Sequence, residues 1–171
     1  ERRLSNMDKV YVESFAQYVR DLHIFVNKIV KPHQNEMILF AHSMGGAIGA
    51  LYLQRYPGDF QKAILSAPMI QMKVRGLPYP AAMMIARICK CLGFGKAYAA
   101  GQHGFSMKPK FERSSCLSEE RYLYAHGKRK ANKRCRTNGA CYSWVCAAQT
   151  AAVFVQASEN IQKIDIPVLV F

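Results

Sequence analysis

The sequence contains no long apolar run. Its longest candidate, Ala81–Ala86, is far shorter than the ~18 residues that a membrane-spanning helix requires. The first residues, ERRLSNMDK, also lack the apolar core of a secretory signal. We therefore expect a cytoplasmic protein that does not span a membrane, and peripheral contact with the inner membrane stays open.

Acidic residues are scarce. There are 11 Asp and Glu against 24 Lys and Arg, so the formal net charge is +13. Such an excess attracts the phosphates of lipids, nucleic acids or acidic substrates, and charge alone does not choose among them. The densest basic run, His126–Arg136, is most simply a solvated loop. Contact with an anionic membrane surface is the next interpretation, because each Lys or Arg near such a surface contributes about 1 kcal/mol.

Two kinds of motif are missing. The six cysteines form no C-x-x-C pair, whereas zinc sites generally use such pairs or histidine partners at set spacing. The sequence therefore predicts free thiols and no metal site. No recognisable RNA- or DNA-binding motif accompanies the basic run, so no nucleic-acid partner is expected.

The first third of the chain has the pattern of an α/β fold. Apolar residues at steps of three and four predict a helix from Val12 to Val30. Met37–Ala41 is a short apolar run, typical of a strand buried on both faces of a parallel sheet. Gly45–Tyr56 has helical spacing, and Lys62–Ser66 predicts another buried strand. Strand, helix and strand in this order form a βαβ unit.

After Pro68 the pattern changes to helices separated by glycine-containing and basic loops. Helices are predicted near Ala81–Cys91 and Tyr142–Ala157, and strand character returns at Ile166–Phe171. The predicted organisation is a core segment at residues 1–68, a helical insertion at 69–160 and a return to the core at 161–171. Because three strands do not complete a doubly wound sheet, we expect the chain to be a fragment.

The stretch LFAHSMGG places Ser43 between a predicted strand and a predicted helix. A sharp reversal there would lift the hydroxyl onto the rim of the sheet, as in a nucleophile elbow. The positions two before and two after the serine, Ala41 and Gly45, must then be small, and Gly46 adds clearance. The N–H of Met44 would face the oxyanion of an attacked ester.

The alternative is that Ser43 only caps the following helix, a common role for serine. The buried strand before it, the helix after it and the second strand favour the nucleophile. His42 should point away from the Ser43 side chain, so a packing or shaping role is expected for it.

The stretch AHSMGGAIGALYLQRYP followed by AILSAPM resembles the group of α/β-hydrolases that contains bacterial lysophospholipase L2 and the monoacylglycerol lipases. The segments VESFAQYVRDL, GKAYAAGQ and NGACYSWV are similar to the lysophospholipase branch. The resemblance implies a serine hydrolase that cleaves the acyl ester of lysophospholipids through an acyl-enzyme. Ser43 would be the nucleophile and the Met44 N–H an oxyanion donor, with 69–160 as the cap and no metal or organic cofactor.

Other functions stay open on the same residues. A monoacylglycerol lipase, another carboxylesterase or a peptidase would use the same elbow, and a non-catalytic basic protein binding lipid or nucleic acid would not use it. In the family the second oxyanion donor precedes the opening helix, and the acid and histidine follow the strand that contains Phe171. Neither Asp165 nor His103 nor His126 is assigned to the triad, so the chain is expected to be catalytically incomplete.

Overall fold

A computed structural model describes residues 6–72, 74 and 76–171. In the described residues the strands are β1 (Lys9–Val10), β2 (Ile38–His42), β3 (Lys62–Ser66), β4 (Gly139–Ala140) and β5 (Val168–Val170). The helices are α1 (Phe15–Phe25), α2 (Met44–Arg55), α3 (Tyr79–Cys91), α4 (Glu119–Ala131), α5 (Tyr142–Gln156) and α6 (Ser158–Ile161). None of these helices has both the length and the apolar character needed to cross a bilayer.

The chain divides into two units. The first comprises the described residues up to Tyr11 together with Ala86–Val145, and the second comprises Val12–Ile85 with Cys146–Phe171. The expected limits of the helical insertion, 69 and 160, stay a prediction.

The second unit contains a parallel sheet with the order β2-β3-β5. Ala41 of β2 pairs with Leu65 of β3, which in turn pairs with Val170 of β5. Helix α2 connects β2 to β3, so the predicted βαβ unit is confirmed. Because all three strands are parallel, their carboxyl ends meet at one edge of the sheet.

Helix α1 begins at Phe15, three residues later than predicted, because the Ser14 hydroxyl accepts a hydrogen bond from the Ala16 N–H and caps it. Its predicted apolar face is buried at Phe15 and Val19. The helix continues as a π-helical turn at Val26–Val30. Helices α3 and α5 confirm the two helices predicted near the same positions.

The prediction that the first strand is buried on both faces is wrong. Ile38 and Phe40 of β2 are 63% and 65% exposed, whereas Leu39 and Ala41 face α2. Strand β2 lies at an edge of the described sheet, and no described element covers its outer face. On the central strand β3, Ala63 and Leu65 are buried, as expected.

In the first unit, β1 and β4 form a short parallel pair. The basic run was predicted to be a loop, but its beginning is the last part of α4, followed by a single 3-10 turn at Lys133–Cys135. The Ser118 hydroxyl caps α4 by accepting a hydrogen bond from the Arg121 N–H. Acidic residues in its first turn and basic residues in its last turn complement the helix dipole, and this stabilises a helix with few apolar residues.

A partly buried polar cluster joins α1, α2 and the loop before β3. The Tyr52 hydroxyl donates to one carboxylate oxygen of Asp59 at 2.5 Å, and Lys31 Nζ lies 2.7 Å from the other. His23 stacks on Tyr56 with 3.7 Å between ring centroids. Burial favours a raised pKa for Asp59, but the hydrogen bonds from Lys31 and Tyr52 and the Lys31 charge hold that pKa below its usual value. Burial, followed by the bond to Asp59, raises the pKa of Tyr52.

We expect Asp59→Asn to lower the free energy of unfolding of the full-length protein at pH 7 by ~1–3 kcal/mol, because two charge-assisted hydrogen bonds are weakened. The folded-state pKa of Asp59 lies below the ordinary 3.8, so its contribution is complete above that pH and is lost as the pH falls through the folded-state value. Urea unfolding at pH 7 measures the destabilisation. Urea unfolding at a series of pH values below 4 measures the loss of the Asp59 contribution in acid. Asp165→Asn, at an exposed position, is the matched control, and equal losses in the two variants at pH 7 would contradict this account.

Candidate active site

Ser43 lies at the point where the chain turns from β2 into α2. Its backbone angles are φ 52° and ψ −121°, a region that residues with a Cβ rarely adopt. Such strain persists only where the surrounding structure fixes it, and it is common at active sites. The predicted sharp reversal between strand and helix is therefore present.

Hydrogen bonds on both sides fix the Ser43 backbone. Its N–H donates to the Ser66 carbonyl oxygen at 3.0 Å, which continues the pairing of β2 with β3. Its own carbonyl oxygen accepts from the N–H groups of Gly46 and Met69, each at 2.9 Å. The strained residue is thus bonded to the neighbouring strand, to its own helix and to the turn after β3.

Two glycines of α2 allow this close approach. A Cβ at Gly46 would lie 2.7 Å from Pro68 Cβ, and one at Gly49 would lie 3.0 Å from Leu39 Cδ2. A Cβ at Gly45 would meet nothing within 4 Å in the described structure. The prediction that Gly45 is the tight position is therefore wrong, because residues 46 and 49, three apart, form the helix face that packs against the strand and the turn.

Ala41 is a different case. Its methyl group lies 3.3 Å from the position of a Cβ on Gly49. A larger side chain at residue 41 would press against α2, so the expectation of a small residue there is confirmed.

The Ser43 side chain is exposed and makes no cap hydrogen bond to α2. This geometry disfavours the helix-cap alternative. Among the described residues, no acceptor is bonded to the N–H of Met44, the first residue of the helix. Acyl transfer by a serine uses an exposed hydroxyl and a backbone N–H that is free to bond the oxyanion, and this turn presents both groups.

The histidine and acidic residues considered in the sequence lie elsewhere. His42 is exposed, and its Nδ1 lies 3.2 Å from the Ser66 hydroxyl, so it links two strand ends and is not packed in the core. Asp165 precedes β5 and therefore belongs to the edge of the parallel sheet opposite Ser43. His103 and His126 belong to the other unit.

Comparison with models of known protein families identifies the family of this chain. The model of the Hydrolase_4 family, described as serine aminopeptidase, S33, matches residues 4–171. The chain belongs to this hydrolase family. The predicted α/β-hydrolase fold class, with its parallel sheet and flanking helices, is thereby confirmed for this chain.

Curated relatives of this chain include a lysophospholipase and a monoglyceride lipase. Lysophospholipase L2 of Escherichia coli K12 is 30% identical over 145 residues, which cover 84% of this chain and 43% of that protein. Monoglyceride lipase of Rattus norvegicus is 37% identical over 67 residues, or 39% of this chain and 22% of that protein. The chain thus spans less than half the length of these relatives.

A solved structure of the monoacylglycerol lipase of Paleococcus ferrophilus has the same fold. Its TM-score is 0.58 at 16% identity, over 92% of this chain and 53% of that one. At that identity the likeness describes the fold alone.

The two adjacent glycines of α2 offer a matched test of the turn. We expect Gly46→Ala to lower the free energy of unfolding by ~1–3 kcal/mol, because its methyl group would overlap Pro68. Gly45→Ala should be neutral or stabilise by up to ~1 kcal/mol, since alanine is the better helix former. Urea unfolding of both full-length variants measures the difference, and equal stabilities would contradict the packing described for α2.

Proposed function

We propose that Ser43 is the nucleophile of a serine hydrolase that cleaves the acyl ester of lysophospholipids through an acyl-enzyme. The observation that carries the proposal is the exposed Ser43 hydroxyl, at a strained φ of 52°, next to the unbonded N–H of Met44. Membership in a hydrolase family supports it.

In the proposed reaction, Ser43 Oγ attacks the ester carbonyl carbon and its proton passes to a histidine acting as general base. The carbonyl oxygen gains the negative charge, which the Met44 N–H and the positive end of the α2 dipole stabilise. Collapse of the intermediate expels the glycerophospho-alcohol, which takes the proton from the histidine. Water then cleaves the acyl-enzyme by the same route, releasing the fatty acid and restoring Ser43.

The sheet supports a position for the acid of the triad. Strand β5 runs parallel to β3, and Phe171 continues that pairing by donating to the Leu65 carbonyl. Residues that directly follow β5 emerge at the edge where Ser43 lies, two strands away, or ~10 Å at the usual strand spacing. That distance is too long for a direct hydrogen bond, but an imidazole bonded to both groups spans it. The family resemblance implies an acid soon after Phe171 and a histidine later in the chain, and this geometry is compatible with that position of the acid.

Two observations favour a lysophospholipid as the substrate. The similarity to lysophospholipase L2 covers 84% of the chain, whereas that to the rat monoglyceride lipase covers 39%. The net charge of +13 suits a substrate that carries a phosphate. Monoacylglycerol hydrolysis is the second candidate because of the named lipase relatives, and amide hydrolysis is the third because of the family description.

We expect Ser43→Ala in the full-length protein to lower kcat for lysophosphatidylethanolamine at least ~10³-fold, because the nucleophile is lost. Alanine keeps the Cβ, so the variant keeps the backbone strain and isolates the hydroxyl. Release of fatty acid measures turnover, and urea unfolding confirms that the variant folds.

Ser158→Ala, at an exposed serine of α6, is the matched control and should keep full turnover. Persistent hydrolysis by Ser43→Ala would remove the nucleophile assignment. The same assay with a monoacylglycerol and an amino-acid amide decides the substrate class, and a higher kcat/KM on either would replace the lysophospholipid proposal.

A further inference from the structure

The first unit contains a cavity of about 520 Å³ between α4 and the loop that precedes it. Its volume falls within the range of small-molecule sites, ~300–1,000 Å³. Lys108, Lys110 and Arg129 line it, and no carboxylate of the described residues does. No described residue forms an ion pair with either lysine or with the arginine. The described lining of the cavity therefore carries positive charge that no negative side chain neutralises.

The arginine is held in place by neutral groups. Arg129 Nε donates to the Cys135 carbonyl at 3.1 Å, and Nη2 donates to the Thr137 carbonyl at 2.9 Å. Its guanidinium lies 4.8 Å from the centroid of the Phe105 ring, and that of Arg136 lies 5.8 Å from the same ring. Two like charges at one ring repel each other, and an anion in the cavity would relieve that repulsion.

Two hydroxyl groups of the lining can donate a hydrogen bond to a ligand. The Tyr122 oxygen accepts the Lys110 N–H at 2.7 Å, and the Ser114 oxygen accepts the Cys116 N–H at 3.2 Å. A hydroxyl that accepts from the backbone still has one O–H to donate. Cations together with hydroxyl donors are the groups that bind phosphate oxygens.

Ring stacking and hydrogen bonds hold the aromatic side of the cavity in place. His126 stacks on Phe105 with centroids 5.0 Å apart, and its Nε2 lies 2.9 Å from the Ser106 carbonyl oxygen. The carboxylate of Asp8 accepts the Phe105 N–H at 3.3 Å. That carboxylate does not line the cavity, so the lining stays positive.

We propose that this cavity binds a phosphate group, carried by a small molecule or by a lipid headgroup. Lys108, Lys110 and Arg129 supply the positive charge, and the hydroxyls of Ser114 and Tyr122 donate to the phosphate oxygens. All five of these residues belong to the first unit.

Isothermal titration calorimetry on the full-length protein tests the site with three probes that carry no acyl ester. These are inorganic phosphate, glycerol 3-phosphate and glycerophosphoethanolamine. The variant is Lys108→Gln/Lys110→Gln, and the matched control is Lys130→Gln/Lys133→Gln, which removes two exposed charges of the same unit outside the cavity. We expect the first pair to weaken binding at least about tenfold relative to the control pair, since charge-assisted contacts are lost.

Saturable binding of glycerophosphoethanolamine would assign the site to a lipid headgroup, and binding of the two other probes alone would assign it to a free phosphate or phosphomonoester. Both results support the proposal. Absence of saturable binding for all three probes would overturn it. A weakening of less than about tenfold relative to the control pair would also overturn it, because the attraction would then come from the general charge of the surface.

Discussion

The backbone of Ser43 is the constraint on which the second unit depends. A serine at φ 52° is strained by ~1–3 kcal/mol, and three elements hold it there. The Ser66 carbonyl oxygen accepts a hydrogen bond from the Ser43 N–H. The N–H groups of Gly46 and Met69 donate to the Ser43 carbonyl oxygen. In this conformation the Ser43 side chain makes no cap hydrogen bond to α2.

Strand β5 also helps to fix the Ser43 backbone, through the turn that follows β3. Ala67, the second non-glycine residue with a positive φ in the described chain, donates its N–H to the Phe171 carbonyl. Pro68 follows and packs on Gly46, and Met69 then bonds to Ser43. The pairing of β5 with β3 therefore positions the turn that fixes the elbow. A hydroxyl placed by strands and a helix is positioned more firmly than one placed by a loop.

Much of this arrangement could be predicted from the sequence because it depends on local signals. The apolar run before Ser43, the helical spacing after it and the KAILS strand each identify their element without knowledge of the rest. The order of these elements then implies the elbow. The elbow pattern itself suggested acyl-transfer chemistry, and the family resemblance added the expected lipid substrate, which neither periodicity nor charge could supply.

The parts that could not be predicted depend on long-range packing. Gly45 and Gly46 are equivalent in the sequence, and only the position of Pro68 decides which one must lack a side chain. The exposure of Phe40 depends on which elements cover the sheet, and no local pattern records that. Helix α4 has too few apolar residues to give a periodic signal. Its capping residue Ser118, which is followed by two glutamates, was the sequence feature that could have indicated it.

We propose above all that the Ser43 hydroxyl is the reactive group of this protein. Peptide mapping by tandem mass spectrometry, after treatment of the full-length protein with a fluorophosphonate, tests it most directly. The account predicts one phosphonyl adduct, on the oxygen of Ser43, formed in the folded protein and not after denaturation. An adduct on another serine, or none on a folded protein, would contradict it.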